Sequence, residues 1–340
     1  MDVRLALTGF GNVGQGVATL IDRYGNQYRE RYGIRLILSG VADRSGAAID
    51  RGGLHLPHLL EVKREEGSVA AIGQKGLAGD DFLEASNAHV LIEAASTNFT
   101  DAEPGWGYVR SALDRQMHVV LASKGALVLH FHELMGMAAN CGRDVLFSGA
   151  VGAPLPVLEL SDRMLVSDSI LGFEGVVNGT SNFVLLLMAE GLSYDTAVRE
   201  AQRIGIAETD PTLDVDGIDA AAKAVIISNA VFGADLRLED VPCRGIRQIT
   251  LDQIHDASRR GGQIKLIARA KRQDGRISAE VLPEFRDNQD VLGRLGKNEM
   301  GIVFKTELLG DVAATVTDLG GIPTAATVLR DVLNLTRERS

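Results

Sequence analysis

Five carboxylates and a lysine are gathered in one short stretch: Glu208, Asp210, Asp214, Asp216, Asp219 and Lys223. Asp219 and Lys223 stand four residues apart, so on a helix they share one face. The residues that follow, Ala224-Val225-Ile226-Ile227, are too apolar for a surface helix, and burying an unpaired charge is costly. Two readings satisfy this pattern. One is a structural ion pair, with acids at a helix N-terminus favoured by the dipole. The other is a polar pocket for a small zwitterion, with carboxylates for an ammonium group and Lys223 as proton donor. Upstream, Asn178-Gly179-Thr180-Ser181-Asn182 forms a loop-to-helix junction whose backbone N–H groups suit a substrate carboxylate, or simply cap the helix.

A second chemistry is written near the N-terminus. Gly9-Phe10-Gly11-Asn12-Val13-Gly14 is a GxGxxG placed directly after a strand and opening a helix. The first glycine permits the tight turn, the second lets the backbone approach a pyrophosphate, and the third lets helix and strand pack closely. Asp43 ends the second strand, where an acid accepts hydrogen bonds from a ribose diol and favours NAD. Arg44 follows at once, and an arginine there accommodates a 2′-phosphate and favours NADP. The two signals conflict, and a solvated Asp–Arg pair would look the same. Glu93-Ala94-Ala95-Ser96-Thr97-Asn98 and Ala122-Ser123-Lys124-Gly125 close two further strands at the ends that face a ligand crevice. Ser96 and Thr97 suit close approach to a nicotinamide ribose, or cap the next helix. Lys124 points into the same crevice, although a solvated surface lysine is the alternative. His55/His58 and His130/His132 lack a third ligand at recognisable spacing, and no Ser–His–Asp arrangement is evident.

These residues need elements to hold them. Strands are expected over 3–8, 35–42, 88–95, 117–122 and 144–150, with helices over 13–28, 108–115 and 131–141 between them. Strands alternating with helices imply βαβ units and a parallel sheet. Residues 46–79, rich in glycine and charge, read as irregular. Beyond Pro154 and Pro156 the pattern changes. Helices are expected over 156–165, 182–189, 194–204 and 219–232, the last two stopped by Gly205 and Gly233. A strand is expected over 170–177. Gln273-Asp274-Gly275 marks a hairpin between 263–271 and 276–282, and Leu309-Gly310 joins strands over 301–308 and 311–316. A helix over 324–334 caps the chain. The fold class is α/β: a Rossmann-like domain of residues 1–150 plus about 321–340, with an inserted α+β domain over 151–320 for substrate binding and dimerisation.

Composition narrows the function further. At 340 residues, of which 45% are hydrophobic and 24% charged, the chain reads as about two globular domains. Thirty-five basic against 45 acidic residues leave a net charge of −10, without the footprint of a nucleic-acid binder. No apolar run approaches the roughly 18 residues of a membrane span. The N-terminus lacks the pattern of a signal peptide, and two cysteines, Cys141 and Cys243, imply no disulfide framework. A reducing cytoplasm is the expected setting.

Taken together, these motifs resemble the homoserine dehydrogenase family. The likeness rests on the GxGxxG, Ala122-Ser123-Lys124-Gly125, Val177-Asn178-Gly179-Thr180-Ser181-Asn182-Phe183 and Glu190-Gly191-Leu192-Ser193-Tyr194. It rests further on Ala207-Glu208-Thr209-Asp210-Pro211, on the long stretch Asp214 to Lys223, and on Gly320-Gly321-Ile322-Pro323-Thr324-Ala325. The resemblance implies reduction of aspartate β-semialdehyde to homoserine with NAD(P)H, and a homodimer. Lys223 would donate the proton. Glu208 and Asp219 would hold the substrate amino group, with Gly205, Asn178, Gly179, Thr180 and Asp214 bordering the substrate. Gly9, Phe10, Gly11, Asn12, Val13, Gly14, Asp43, Arg44, Ser96, Thr97, Lys124 and Gly321 would line the cofactor, Lys124 also lying near the reacting centre. The family's sodium ion would fall on carbonyls of Ser148, Val151, Ala153 and Leu155. Here Ser148 stands for the usual glutamate and Pro154 for a usual glycine. The chain length leaves no room for an appended regulatory domain. Rival readings are another amino-acid dehydrogenase sharing the nucleotide domain, such as an aspartate dehydrogenase, and a non-catalytic dinucleotide sensor.

Overall fold

The computed structural model describes residues 1–317 and 320–337. The chain forms two compact units, one of Met1–Ala150 with the chain from Gly321 onward, the other of Val151–Gly320. Among the described residues no helix is long and apolar enough to cross a membrane.

The first unit is built on β1 (Asp2–Thr8), α1 (Asn12–Tyr32), β2 (Arg35–Asp43), β3 (Gly46–Ile49), α2 (Leu56–Glu66), β4 (Gln74–Lys75), α3 (Gly79–Ser86), β5 (Val90–Glu93), α4 (Gly105–Asp114), β6 (His118–Leu121), α5 (Gly125–Leu129), α6 (Phe131–Cys141) and β7 (Val145–Leu146). Its sheet runs β4-β3-β2-β1-β5-β6-β7. β2, β1, β5, β6 and β7 pair in parallel, while β3 and β4 add antiparallel edges. β1 is central, and Leu5, Ala6 and Leu7 are fully buried, as a parallel strand covered on both faces requires. Residues 46–79 are more ordered than composition suggests: a β-turn return gives β3, and Pro57 sits in the first turn of α2, which Gly67 stops with φ 74°. The strand expected over 144–150 is cut to two residues. The Ser148 N–H turns to the Asp331 carboxylate at 2.9 Å, and Ser148–Ala150 curls into a 3₁₀ turn.

The second unit holds α7 (Val157–Glu159), β8 (Ile170–Val176), α8 (Gly179–Ala189), α9 (Tyr194–Arg203), α10 (Thr212–Val215), α11 (Ile218–Phe232), α12 (Leu251–Arg259), β9 (Gly262–Gln273), β10 (Arg276–Asp287), β11 (Glu299–Thr306) and β12 (Asp311–Thr317). The helix expected over 156–165 is α-helical only through α7 and then widens to a π-turn, Leu160–Met164. The sheet order is β10-β9-β8-β11-β12, antiparallel throughout. Asp274 and Gly275, at φ 51° and 75°, make the tight β9–β10 turn, with both central residues in the left-handed region. α8 and α11 are buried nearly all round, which explains their uniformly apolar sequences. The chain ends in α13 (Gly321–Arg337), whose Val328, Leu329, Val332 and Leu333 join the core of the first unit with α1 and β1.

Candidate active site

In the first unit the loop after β1 opens a cavity of about 650 Å³. Gly9 has φ 85°, and a Cβ there would lie 2.3 Å from the Ala94 carbonyl oxygen, so only glycine fits. A Cβ on Gly14 would meet the Gly9 carbonyl oxygen at 2.3 Å, which keeps α1 tight against the loop. A Cβ on Gly11 would meet nothing within 4 Å: its open side faces where a pyrophosphate needs room. Gly11 is the N-cap of α1, and the helix N-terminus is a ready anion site. The residues present therefore fit a dinucleotide.

Of the expected cofactor residues, Gly9, Phe10, Gly11, Asp43, Arg44 and Ser96 line this cavity. Asn12, Val13 and Gly14 form the first turns of α1 behind it. Gly321 approaches the start of α1, its Cβ position 3.4 Å from Asn12 Cβ. Thr97 accepts the Lys124 N–H at 3.3 Å, tying the loop after β5 to the loop after β6. Lys63 and Tyr108 also line the cavity and were not foreseen. Lys63 lies on α2, inside the stretch read as irregular, so no helical face pointed to it.

Asp43 is held more firmly than a lone ribose ligand would be. Its carboxylate accepts the Lys63 ammonium at 2.8 Å, the Ser68 hydroxyl at 2.9 Å and the N–H groups of Val69 and Ser45, each at 3.0 Å. Burial would raise its pKa. The Lys63 bond and those from Ser45, Val69 and Ser68 outweigh burial and hold it below the usual carboxylate range. Lys63 and Arg44 thus bring two cations beside the acid.

Glu93, the last residue of β5, is wholly buried. It accepts the Ala95 N–H at 2.9 Å and the Ser123 hydroxyl. Desolvation pushes its pKa up to about 7 against the lowering effect of these two bonds.

The second unit assembles the lysine–carboxylate cluster. Lys223 and Asp219 lie one turn apart on α11, with Nζ 2.8 Å from Asp219 Oδ2, and Nζ also donates to the Val177 carbonyl at 2.7 Å. Asn178 caps α8, its Oδ1 accepting the Ser181 N–H at 2.8 Å, while its amide donates to Asp214 at 2.7 Å and Asp219 at 2.9 Å. Thr180 donates to the Ile206 carbonyl at 3.2 Å, tying α8 to the segment after Gly205. Gly205, at φ 80°, ends the turn after α9. Glu208 is exposed, and no side-chain bond joins it to the cluster among the described residues. Lys223, Asp219, Asp214, Asn178 and Thr180 are thus brought together, with Gly179 at the head of α8.

The sodium expectation is not supported. Ser148, Val151, Ala153 and Leu155 offer only carbonyls and one hydroxyl, and the Leu155 carbonyl already accepts the Val157 N–H at 2.9 Å. Without the glutamate that Ser148 replaces, these residues bring no negative charge to offset an ion's dehydration.

Residues 156–333 match the family described as homoserine dehydrogenase, and residues 9–148 match homoserine dehydrogenase, NAD binding domain. An NAD(+)-dependent homoserine dehydrogenase of Pseudomonas canavaninivorans is 37% identical over 338 residues, covering 98% of this chain and 96% of that one. The homoserine dehydrogenase of Methanocaldococcus jannaschii is 33% identical, with 97% and 98% covered. The solved structure of a hyperthermophilic archaeal homoserine dehydrogenase in complex with NADPH superposes with a TM-score of 0.84 at 26% identity, covering 99% of this chain and 98% of that one. Matches to both parts of the family, over nearly the whole sequence, place this chain in the homoserine dehydrogenase family of NAD(P)-dependent oxidoreductases.

Proposed function

We propose that the chain interconverts L-aspartate 4-semialdehyde and L-homoserine, with Lys223 as proton donor to the aldehyde oxygen. The observation that carries this reading is the orientation of the ammonium. Asp219 and the Val177 carbonyl take two of its three N–H donors, among the described residues, and leave one for a substrate oxygen. A bound nicotinamide supplies the hydride that adds to the aldehyde carbon. Lys223 supplies the proton that completes the alcohol, and takes it back in the oxidative direction. Asp219 orients Lys223 and, with Asp214 and Glu208, offers carboxylates to the substrate ammonium. The N-terminus of α8 at Gly179 and Thr180 faces the charge of the substrate carboxylate. Lys124 lies in the loop after β6, tied to the loop after β5 through Thr97, and acts near the reacting centre.

Both cofactors are accepted in this reading. Asp43 suits a ribose diol, while Lys63 and Arg44 suit a 2′-phosphate. We further propose a cytoplasmic homodimer that pairs through the sheet of β8–β12. Sedimentation at micromolar concentration tests the pairing, and a single species of one chain's mass would refute it. No step runs through a metal ion. Homoserine-dependent reduction of NAD or NADP, followed at the nicotinamide absorbance, tests the activity. Turnover with aspartate but not homoserine would favour an aspartate dehydrogenase instead.

A further inference from the structure

The carboxylate at the end of β5 has no part in the chemistry above, and its position asks for a reason. Glu93 is fully buried, yet its side chain reaches the loop after β5, which lines the cofactor cavity, and the loop after β6, which Thr97 ties to it. It accepts the N–H of Ala95, and the Ala94–Ser96 loop lines that cavity. It also accepts the hydroxyl of Ser123, the residue directly before Lys124. The first residue of α4 rests on it so closely that a Cβ on Gly105 would lie 3.1 Å from the carboxyl carbon. A leucine or methionine would fill a buried site of this kind without the cost of desolvating a charge.

We propose that Glu93 is a positioning residue whose ionised carboxylate fastens the β5 loop to the β6 loop, so that its protonation weakens cofactor binding. This rests on the reading of the cavity as the dinucleotide site. The chemistry of the two partners sets the direction. Both are donors, and an ionised carboxylate, being acceptor-only, takes both at once. A protonated carboxyl must place its own O–H, and the Ser123 hydroxyl then has to turn its proton elsewhere. The bond that reaches the neighbour of Lys124 is therefore the one that changes. Burial places this exchange near pH 7. The ionisable groups on the surrounding elements are Lys124 after β6 and His118 at its start, Glu103 before α4, Tyr108, Arg110 and Asp114 on it, and Asp2 and Arg4 at the far end of β1. Arg110 pairs with Glu103 at 3.3 Å, and β1 brings Thr8, which carries no charge.

NADH is the probe, because it lacks the 2′-phosphate that would titrate in the same range. Its dissociation constant is read from nicotinamide fluorescence between pH 6 and 9. The unmodified protein should bind NADH more weakly below about pH 7, by roughly tenfold at the acid limit, as losing one hydrogen bond to a charged group would give. Glu93→Gln should flatten that dependence. Ser123→Ala removes a bond that favours the anion, so the midpoint should move to higher pH. If both variants keep the original midpoint and differ only in melting temperature, Glu93 is structural and the proposal fails. Should Glu93→Gln not fold, an unmoved midpoint in Ser123→Ala overturns it alone. No NADH binding at any pH would instead sink the reading of the cavity itself.

Discussion

Lys223 and Asp219 can be tested as chemistry rather than as architecture, because the two roles predict different losses. As proton donor, Lys223 replaced by alanine should lower kcat by on the order of 10²-fold or more, with NADH affinity nearly unchanged. Asp219→Ala should raise the homoserine KM as well as lower kcat, because it loses an ammonium partner and frees the lysine. A purely structural pair would instead lower the melting temperature of both variants and leave turnover per folded molecule intact. The same logic applies to cofactor choice. Lys63→Ala should weaken NADP more than NAD, since the ammonium 2.8 Å from Asp43 is the cation a 2′-phosphate would take. Asp43→Ser should raise the NADP to NAD efficiency ratio by releasing that lysine, and cost about 1–3 kcal/mol of stability by leaving the Val69 and Ser45 donors unanswered. An unchanged ratio in both variants would remove Asp43 and Lys63 from the cofactor site. At this scale the sequence was legible where spacing implies geometry. Asp219 and Lys223 meet because four residues make a turn. Lys63 was hidden because its partner Asp43 is 20 residues away, and the role of Glu93 because its partner Ser123 stands 30 residues on.

Elements were legible where the hydrophobic period was long and the ends were punctuated. The expectation of a helix over 131–141 matches α6, and Gly233 stops α11 as its position suggested, at φ 62°. The hairpin signal at Asp274-Gly275 matches the β9–β10 turn. α2, α3, α5 and α12 were missed. They are 5 to 11 residues long, and packing holds such short helices more than their own pattern does. β9 carries the feature least expected from alternation, because Lys265 is completely buried in it. Its ammonium donates to Asn182 Oδ1 at 2.9 Å and to the Leu295 carbonyl at 2.7 Å, joining the first turn of α8 to the loop before β11. Desolvation lowers its pKa from an ordinary 10.5 to about 8, with Glu299 opposing. Between those values the unfolded chain binds more protons than the folded one, so this lysine makes stability rise with pH from about 8 to 10.5. Below pH 8 its full cost is present, on the order of a few kcal/mol. Lys265→Met should therefore flatten the rise in denaturant midpoint over that range. It should also lower the midpoint near pH 10, where the neutral lysine no longer carries that cost and still makes its two hydrogen bonds. A midpoint that rises equally in both proteins would mean that another group titrates.

At the scale of the whole molecule, the chain leaves its first unit at Ala150 and re-enters it at Gly321. The return is not ornamental. α13 buries Ala325, Val328, Leu329, Val332, Leu333 and Leu335, all of them in one core with β1 and α1. At roughly 1.5–3 kcal/mol for each buried valine or leucine, these side chains contribute on the order of 8–15 kcal/mol. That equals the whole net stability of an ordinary domain, about 5–15 kcal/mol. Asp331 adds a polar tie, its carboxylate accepting the Ser148 N–H from inside that core. The return of about 321–340 to the first unit was legible through the family resemblance and the late glycine at 321, but the weight of the helix was not, since apolar spacing does not say how many of its side chains a core will bury. Residues 1–150 produced alone should therefore fail to fold, showing no cooperative melting and no NADH fluorescence change. The same residues joined by a short flexible linker to 321–340 should melt cooperatively and bind NADH within about tenfold of the full chain, because the linker spans only a loop closure whose cost grows slowly with length. If residues 1–150 alone bind NADH as tightly as the joined form, the terminal helix is dispensable to the nucleotide unit, and its buried leucines serve something other than that core.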